Sequence, residues 1–112
     1  MKRILFLLPI LELSINAYAT SQYGVEIVNL NINRAISQVF VRTSTAPVSS
    51  GCHIDTNWNY TFKISTEADK AAYSTMLAAK IAGKIVNVVG YGDCFAESGG
   101  TIEELKWITL PN

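Results

Sequence analysis

Two cysteines, Cys52 and Cys94, constrain the fold of this 112-residue chain more than any other feature of its sequence. In an oxidising compartment two thiols in a small domain are most simply a disulfide, whereas in the cytosol the same pair would suggest a metal or redox site. With two cysteines, one pairing is possible. On the chain-entropy model, closing a loop of about 43 residues stabilises the fold by about 4 kcal/mol. This is comparable with the whole net stability of a small domain.

Residues 1–19 indicate the oxidising compartment, because they have the three parts of an export signal. The start is positively charged, residues 4–11 are apolar apart from one proline, and Ala17 and Ala19 form the small-x-small pattern that signal peptidase accepts. We therefore expect cleavage after Ala19. This leaves a single secreted or periplasmic domain, residues 20–112, of about 93 residues.

A membrane anchor is the rival interpretation of the first segment. Glu12 and Asn16 interrupt its apolar run, which is far shorter than the roughly 20 residues needed to span a bilayer. We expect no membrane span in the mature chain. Its positive and negative residues are nearly balanced and form no basic cluster, which argues against nucleic acid as a partner because phosphate neutralisation needs concentrated Lys and Arg.

Hydrophobic periodicity predicts five strands and one helix. The clearest period-two signal lies in the third strand, where Trp58, Tyr60 and Phe62 alternate with polar residues and are predicted to face the core. Thr66 and Asp69 form an approximate capping box at the start of the helix, and a glycine follows its end. The predicted strands are residues 23–32, 36–43, 58–64, 85–91 and 101–110, and the predicted helix is residues 67–82.

The order strand, strand, strand, helix, strand, strand is that of the OB-fold, a five-stranded Greek-key barrel with its helix between the third and fourth strands. We therefore predict a mainly β (α+β) domain with an OB-fold-like barrel, although other small α+β arrangements share this order. In such a barrel the disulfide would join the loop before the third strand to the end of the fourth.

A resemblance supports this fold. Residues 71–92, AAYSTMLAAKIAGKIVNVVGYG, with one cysteine just beyond and another before the third strand, resemble a pattern in small exported bacterial proteins. More distantly, the half from Cys52 onward resembles B subunits of AB5 toxins of the subtilase-cytotoxin and pertussis-like group. The resemblance implies an OB-fold, ring-shaped pentamers and host-glycan binding. Those subunits have a Phe-Cys pair in the second strand where this chain has Phe40 and Val41, and none of their sugar-binding residues is carried over.

The sequence holds little that indicates catalysis. His53 and Asp55 resemble a base with an orienting carboxylate, but no nucleophile stands at a known spacing, and a polar loop beside a cysteine is the favoured interpretation. Glu103 and Glu104 are adjacent and point to opposite sides of a strand, so we expect solvated charges rather than a paired-carboxylate site. We predict no catalytic residue.

Metal and cofactor sites are not expected either. One histidine and two oxidised cysteines leave only carboxylates as metal ligands. Residues 90–92, Gly-Tyr-Gly, resemble the beginning of a dinucleotide loop, but they follow a strand without opening a helix. A strand end or bulge is the expected role of these glycines.

Two surfaces are candidates for binding. In an OB-fold the loops at residues 31–34 and 92–101 flank the usual ligand surface, and Trp107 lies opposite the apolar side of the last strand, on the same face as Leu105. The candidate ligand-binding residues are therefore Asn31, Asn33, Arg34, Asp93 and Trp107. The second surface is the side of the helix with small residues and few charges, a candidate contact between copies of the chain: Ala71, Ser74, Thr75, Ala78 and Ile81. An ordinary Ala-rich exposed helix is the alternative.

The leading hypothesis is an exported, non-enzymatic binding domain for a glycan or protein partner. Its homo-oligomer would be a pentamer by resemblance. The second hypothesis is a periplasmic protein-interaction or inhibitor module without sugar preference, and an enzyme comes third.

Overall fold

The computed structural model describes residues 20–47, 51–96 and 99–111. The expected export signal, residues 1–19, lies outside the described residues. The elements are β1 (Ser21–Asn33), β2 (Gln38–Thr43), β3 (Tyr60–Lys63), α1 (Glu67–Ala82), β4 (Ile85–Cys94) and β5 (Glu103–Thr109). Over the described residues the chain is therefore mainly β with one helix, in the predicted order. Across the described ranges, no helix has both the length and the apolar character to cross a membrane.

The five strands hydrogen-bond side by side in a closed ring, in the order β1-β2-β3-β5-β4. Neighbouring strands are antiparallel except for β3 and β5, which pair in parallel at Tyr60↔Glu103 and Thr61↔Glu104. A parallel pair needs a long crossover, which α1 and β4 provide here. The core inside the ring is lined by aliphatic residues from four strands and by Tyr60 and Phe62 from β3, and it is closed by Met76 and Ala79 of α1.

The first hairpin turns later than predicted. Residues 31–33 were expected in the connection, but β1 extends through them, and Asn33 pairs with Gln38. The turn comprises residues 34–37, with Ser37 at a φ of 54°. The Ala35 amide donates a hydrogen bond of 3.0 Å to Asn33 Oδ1, a side-chain turn of the kind that asparagine forms where a chain reverses direction.

The helix has the predicted bounds because both of its ends are fixed locally. Thr66 Oγ1 accepts from the Asp69 amide, and Asp69 Oδ2 accepts from the Thr66 amide, at 3.1 and 3.0 Å. Hydrogen bonds from the Ser65 and Thr66 amides lower the pKa of the Asp69 carboxyl. At the other end Gly83 adopts the left-handed conformation, with a φ of 66°, which glycine adopts without strain.

The last strand contains a bulge that sequence periodicity did not reveal. Adjacent residues of β4, Val89 and Gly90, pair with Trp107 and Leu105, which are two apart in β5. One extra residue in β5 reverses the alternation of its side chains. Leu105 and Ile108 therefore both pack on the core, whereas Trp107 is 52% exposed. The prediction that Leu105 and Trp107 share a face is wrong.

The third strand is shorter than predicted, but two of its aromatic residues lie in the core. Tyr60 is fully buried and Phe62 is 5% exposed. Trp58 precedes the strand and packs on Phe40 instead, with ring centroids 5.8 Å apart. Thr61, on the other face of the strand, is fully buried as well. Burial of both faces of β3 places polar groups inside the molecule, where they need partners.

Candidate functional site

The disulfide joins Cys52 to Cys94, as predicted. Cys52 lies in the loop before β3, Cys94 is the last residue of β4, and their Cα atoms are 5.0 Å apart. Cys52 is fully buried, whereas Cys94 is exposed. The link holds His53 and Gly92, which lie one and two residues from its ends, on the same side of the molecule.

Between them lies a buried polar group that we call the Glu103 cluster, formed by Thr20, His53, Tyr60, Gly92 and Glu103. The Glu103 side chain is completely buried. Its Oε2 accepts from the Gly92 amide at 2.8 Å and from the Thr20 nitrogen at 3.2 Å. Its Oε1 accepts from the Thr20 hydroxyl at 2.6 Å. A buried carboxylate with these donors is strongly held in one geometry.

His53 and Tyr60 complete the cluster. His53 Nε2 lies 3.0 Å from Glu103 Oε1 in an electrostatic contact rather than an aligned hydrogen bond, and its side chain is 6% exposed. Nδ1 of His53 has no hydrogen-bond partner among the described residues. The Tyr60 hydroxyl lies 2.7 Å from the Thr20 hydroxyl. Burial raises the pKa of Tyr60 to about 12, and the nearby Glu103 charge adds to this effect, so its hydroxyl stays neutral at physiological pH.

The two glycines of residues 90–92 admit the Glu103 carboxylate. A Cβ atom on Gly90 would overlap Glu103 Oε2, so any other residue at this position would displace the Glu103 carboxylate from its present place. Gly92 has a φ of 88° and turns its amide to the same oxygen. The β4–β5 register shifts between Gly90 and Cys94, which confirms the predicted bulge, but β4 itself runs on to Cys94.

The ionisation state of Glu103 depends on the balance between burial, which raises the pKa of its carboxyl, and its polar contacts, which lower it. Burial acts to raise the pKa of its carboxyl, but interactions with His53, Thr20 and the Gly92 amide outweigh burial and lower the pKa below its ordinary value. Hydrogen bonds to the charged form stabilise it even where water is excluded. Glu103 is therefore a carboxylate inside the fold.

The expectation that Glu103 is a solvated charge was wrong, because its side chain is buried. His53 lies in the loop before β3, as expected, but its side chain is buried and contacts Glu103. The signal that could have revealed the cluster is the glycine pair at residues 90–92, since glycine inside a strand marks the close approach of another group. Nothing in the local sequence identified Glu103 as that group.

The cluster does not have the arrangement of a nucleophilic active site. The Thr20 hydroxyl and His53 both contact Oε1 of Glu103, so the carboxylate stands between the hydroxyl and the imidazole. Activation of a hydroxyl nucleophile requires the base to contact the hydroxyl itself. Thr20 is also 8% exposed, which leaves little room for a substrate. In the described part of the chain no three His, Cys, Asp or Glu residues are grouped to hold a metal ion.

A second feature, which we call the aromatic cleft, opens on the surface just past the parallel pairing of β3 and β5. Its volume is about 340 Å³. The first turns of α1 form one wall, and the end of β4 and the first part of β5 form the other. The cleft is lined by Phe62, Lys63, Ser65, Ala68, Asp69, Ala72, Tyr91, Phe95, Glu104, Leu105, Lys106 and Trp107.

The cleft combines aromatic surface with charge. Tyr91 is 51% exposed and Trp107 is 52% exposed. The Lys106 ammonium lies 5.9 Å from the centroid of the Tyr91 ring and 5.1 Å from that of Trp107, within reach of both rings. Burial raises the pKa of Glu104, and the charges of Asp93 and Asp69 raise it further. The cleft therefore offers apolar ring faces beside a cation and a carboxyl.

The predicted ligand-binding residues fall into two groups. Trp107 lines the aromatic cleft, and the exposed Asp93 is close enough to affect Glu104. Asn31, Asn33 and Arg34 are exposed at the tip of the β1–β2 hairpin and do not line the cleft. Sequence analysis did not identify Glu104 or Lys106 as cleft residues, because their position depends on the bulge and on the placement of α1.

The helix surface predicted as an interface between copies is open in the single chain. Ala71, Ser74, Ala78 and Ile81 are exposed and Thr75 is half-buried, with Ile81 78% exposed. No protein-family model, curated protein or solved structure matches this chain. Its function is therefore inferred from the geometry of the cleft, the cluster and this helix face.

Proposed function

We propose that this chain is an exported, non-enzymatic OB-fold domain, similar to a toxin B subunit, that binds a glycan in the aromatic cleft. The observation that carries the proposal is the pair of half-exposed rings, Tyr91 and Trp107, beside a cleft that also holds Glu104, Lys106 and Ser65.

The OB-fold part of the proposal is supported by strand order. The ring order β1-β2-β3-β5-β4, with β3 and β5 parallel and α1 between β3 and β4, is the connectivity expected for such a barrel. The disulfide supports export, because such bonds persist in oxidising compartments. The export pattern of residues 1–19 supports it independently.

The glycan part follows from the chemistry of sugars. A pyranose ring presents an apolar C–H face that packs on an aromatic ring, and a rim of hydroxyl groups that needs hydrogen-bond donors and acceptors. Binding sites for small ligands combine apolar walls with a few placed polar groups in this way. Trp107 and Tyr91 provide the apolar ring faces, while Lys106 donates to the hydroxyl rim and the carboxyl of Glu104 accepts from it.

Replacing Trp107 by alanine is expected to weaken glycan binding at least about tenfold, a loss of about 1.4 kcal/mol. The stacking surface is lost, whereas the fold is retained because the ring is half exposed. A glycan array with the exported protein identifies the ligand, and titration calorimetry measures the loss of affinity.

Tyr23→Ala is the matched control for Trp107→Ala, since Tyr23 is a 71% exposed aromatic residue outside the cleft. Equal affinities for the Trp107→Ala and Tyr23→Ala proteins would contradict the proposed site. An array without signal would favour the protein-interaction or inhibitor module.

A second proposal concerns self-association through α1. Ile81 is 78% exposed on a helix face, with Ala71, Ser74 and Ala78, that carries few charges beyond Glu67 in the first turn. An apolar face of this kind is typical of a surface covered by a second copy.

Ile81→Glu is expected to shift the oligomer toward monomer, because it replaces the largest exposed apolar side chain of that contact by a charge. Light scattering at tens of micromolar protein measures the mass. Ala35→Glu adds the same charge in the exposed β1–β2 turn and should leave the mass unchanged. A wild-type chain that is monomeric at this concentration would contradict self-association.

A further inference from the structure

The first residue of the expected mature chain lies against the buried carboxylate. The Thr20 nitrogen is 3.2 Å from Glu103 Oε2, and its hydroxyl donates to Oε1 of the same side chain. The carbonyl oxygen of Thr20 accepts from the Gly90 amide at 2.9 Å, and the next residue, Ser21, pairs with Val89. The backbone of Thr20 is therefore fixed with its nitrogen directed to Glu103.

From this contact we propose that cleavage of the Ala19–Thr20 bond places the new α-ammonium group of Thr20 against Glu103, so that processing completes an ion pair inside the fold. The proposal rests on the export part of the proposed function and is independent of what the aromatic cleft binds.

The chemistry of the step is a hydrolysis. One water molecule is consumed as a processing peptidase breaks the C–N bond; its oxygen goes to the carbonyl carbon of Ala19, which becomes a carboxylate. Both water protons and the original amide proton end on the Thr20 nitrogen, which becomes an ammonium group. In the precursor this nitrogen is a neutral amide with one proton, whereas in the product it is a cation with three.

The positive charge on the Thr20 nitrogen matters for stability because the Glu103 carboxylate is buried. A buried carboxylate is costly unless it is paired with a cation as well as hydrogen-bonded. The titratable groups that face it are His53 from the loop before β3 and Tyr60 from β3, while β4 contributes the Gly92 amide. Since the Tyr60 hydroxyl is neutral, it supplies no charge, whereas an ammonium at Thr20 places a full positive charge 3.2 Å from Oε2 of the carboxylate.

The first test is the identity of the N-terminus. Intact mass and N-terminal sequencing of the exported protein should give Thr20 as its first residue. A mature chain that begins at any other residue overturns the proposal.

The second test measures coupling between the ammonium group and Glu103. Chains beginning at Thr20 and at Ala19, each with and without Glu103→Gln, are compared by thermal unfolding. The extra residue moves the charge away from the carboxylate, so it should lower Tm by at least about 5 °C in the wild-type pair and by less than half as much in the Glu103→Gln pair. Equal shifts in the two pairs overturn the proposal.

A third measurement does not require the Glu103→Gln chains to fold. An amine-acylating reagent should label the α-amine of the folded chain that begins at Thr20 at least about tenfold more slowly than that of the chain beginning at Ala19, because the ion pair keeps the amine protonated. Equal labelling rates overturn the proposal. Absence of glycan binding in a protein that passes these tests contradicts the proposed function and leaves the ion pair in place.

Discussion

Replacing Glu103 by alanine is expected to lower the free energy of unfolding by about 3 to 5 kcal/mol. The substitution removes the acceptor of three donors: the Thr20 nitrogen, the Thr20 hydroxyl and the Gly92 amide. The Thr20 nitrogen and the Gly92 amide then remain buried without this acceptor, and each costs about 1 to 3 kcal/mol if water does not reach it, whereas the Thr20 hydroxyl keeps the Tyr60 hydroxyl as a partner. Urea unfolding at pH 7 measures the loss.

Glu104→Ala is the matched control for Glu103→Ala, because Glu104 is the neighbouring glutamate but lines the open cleft, whereas Glu103 is fully buried. The Glu104 side chain lies in the open cleft, where burial and the charges of Asp93 and Asp69 raise the pKa of its carboxyl. Glu104→Ala is expected to change the free energy of unfolding by less than about 1 kcal/mol. Similar losses for the two variants would contradict the role assigned to the Glu103 cluster.

The pH dependence gives an independent check of the same prediction. A carboxyl whose pKa is lower in the folded than in the unfolded chain adds stability above its unfolded pKa, and this stability is lost as the pH falls through its folded pKa. For Glu103 the ordinary value is 4.5. The wild-type protein should therefore lose more stability than Glu103→Ala between pH 6 and acid pH. The lowered pKa of Asp69 acts with the same sign in both proteins and cancels in their difference.

The helix and the disulfide could be predicted from the sequence because each depends on short-range or unambiguous information. Thr66, Asp69 and Gly83 fix the ends of α1 through contacts within a few residues. The pairing of Cys52 with Cys94 needed only the number of cysteines and the compartment.

The Glu103 cluster could not be predicted because its contacts are distant in sequence. Thr20 lies 83 positions from Glu103, and their contact exists only after the ring has closed. Glu103 and Glu104 have the same side chain and nearly the same neighbours, so local pattern cannot tell which is buried. The face of β5 on which Trp107 lies could not be predicted either, because an extra residue in the strand changes the direction of every side chain that follows.

Loss of the disulfide is expected to lower the free energy of unfolding by about 4 kcal/mol. Replacing Cys52 and Cys94 together by alanine removes the constraint on the unfolded chain without leaving a buried thiol at Cys52. Urea unfolding of this double variant at pH 7 measures the change. Reduction should bring the wild-type protein to the same stability and should not affect the double variant, which controls for the reductant.

The disulfide and the Glu103 cluster are also expected to be coupled. His53 follows Cys52 directly, and Gly92 precedes Cys94 by two residues, so the bond holds two contacts of the carboxylate in place. Residues that share partners give losses that are not additive. The combined loss for Glu103→Gln in the double variant should be smaller than the sum of the separate losses by about 1 kcal/mol or more. Strict additivity would mean that the disulfide acts on the unfolded chain alone, and that the loop carrying His53 is held against Glu103 by its other contacts.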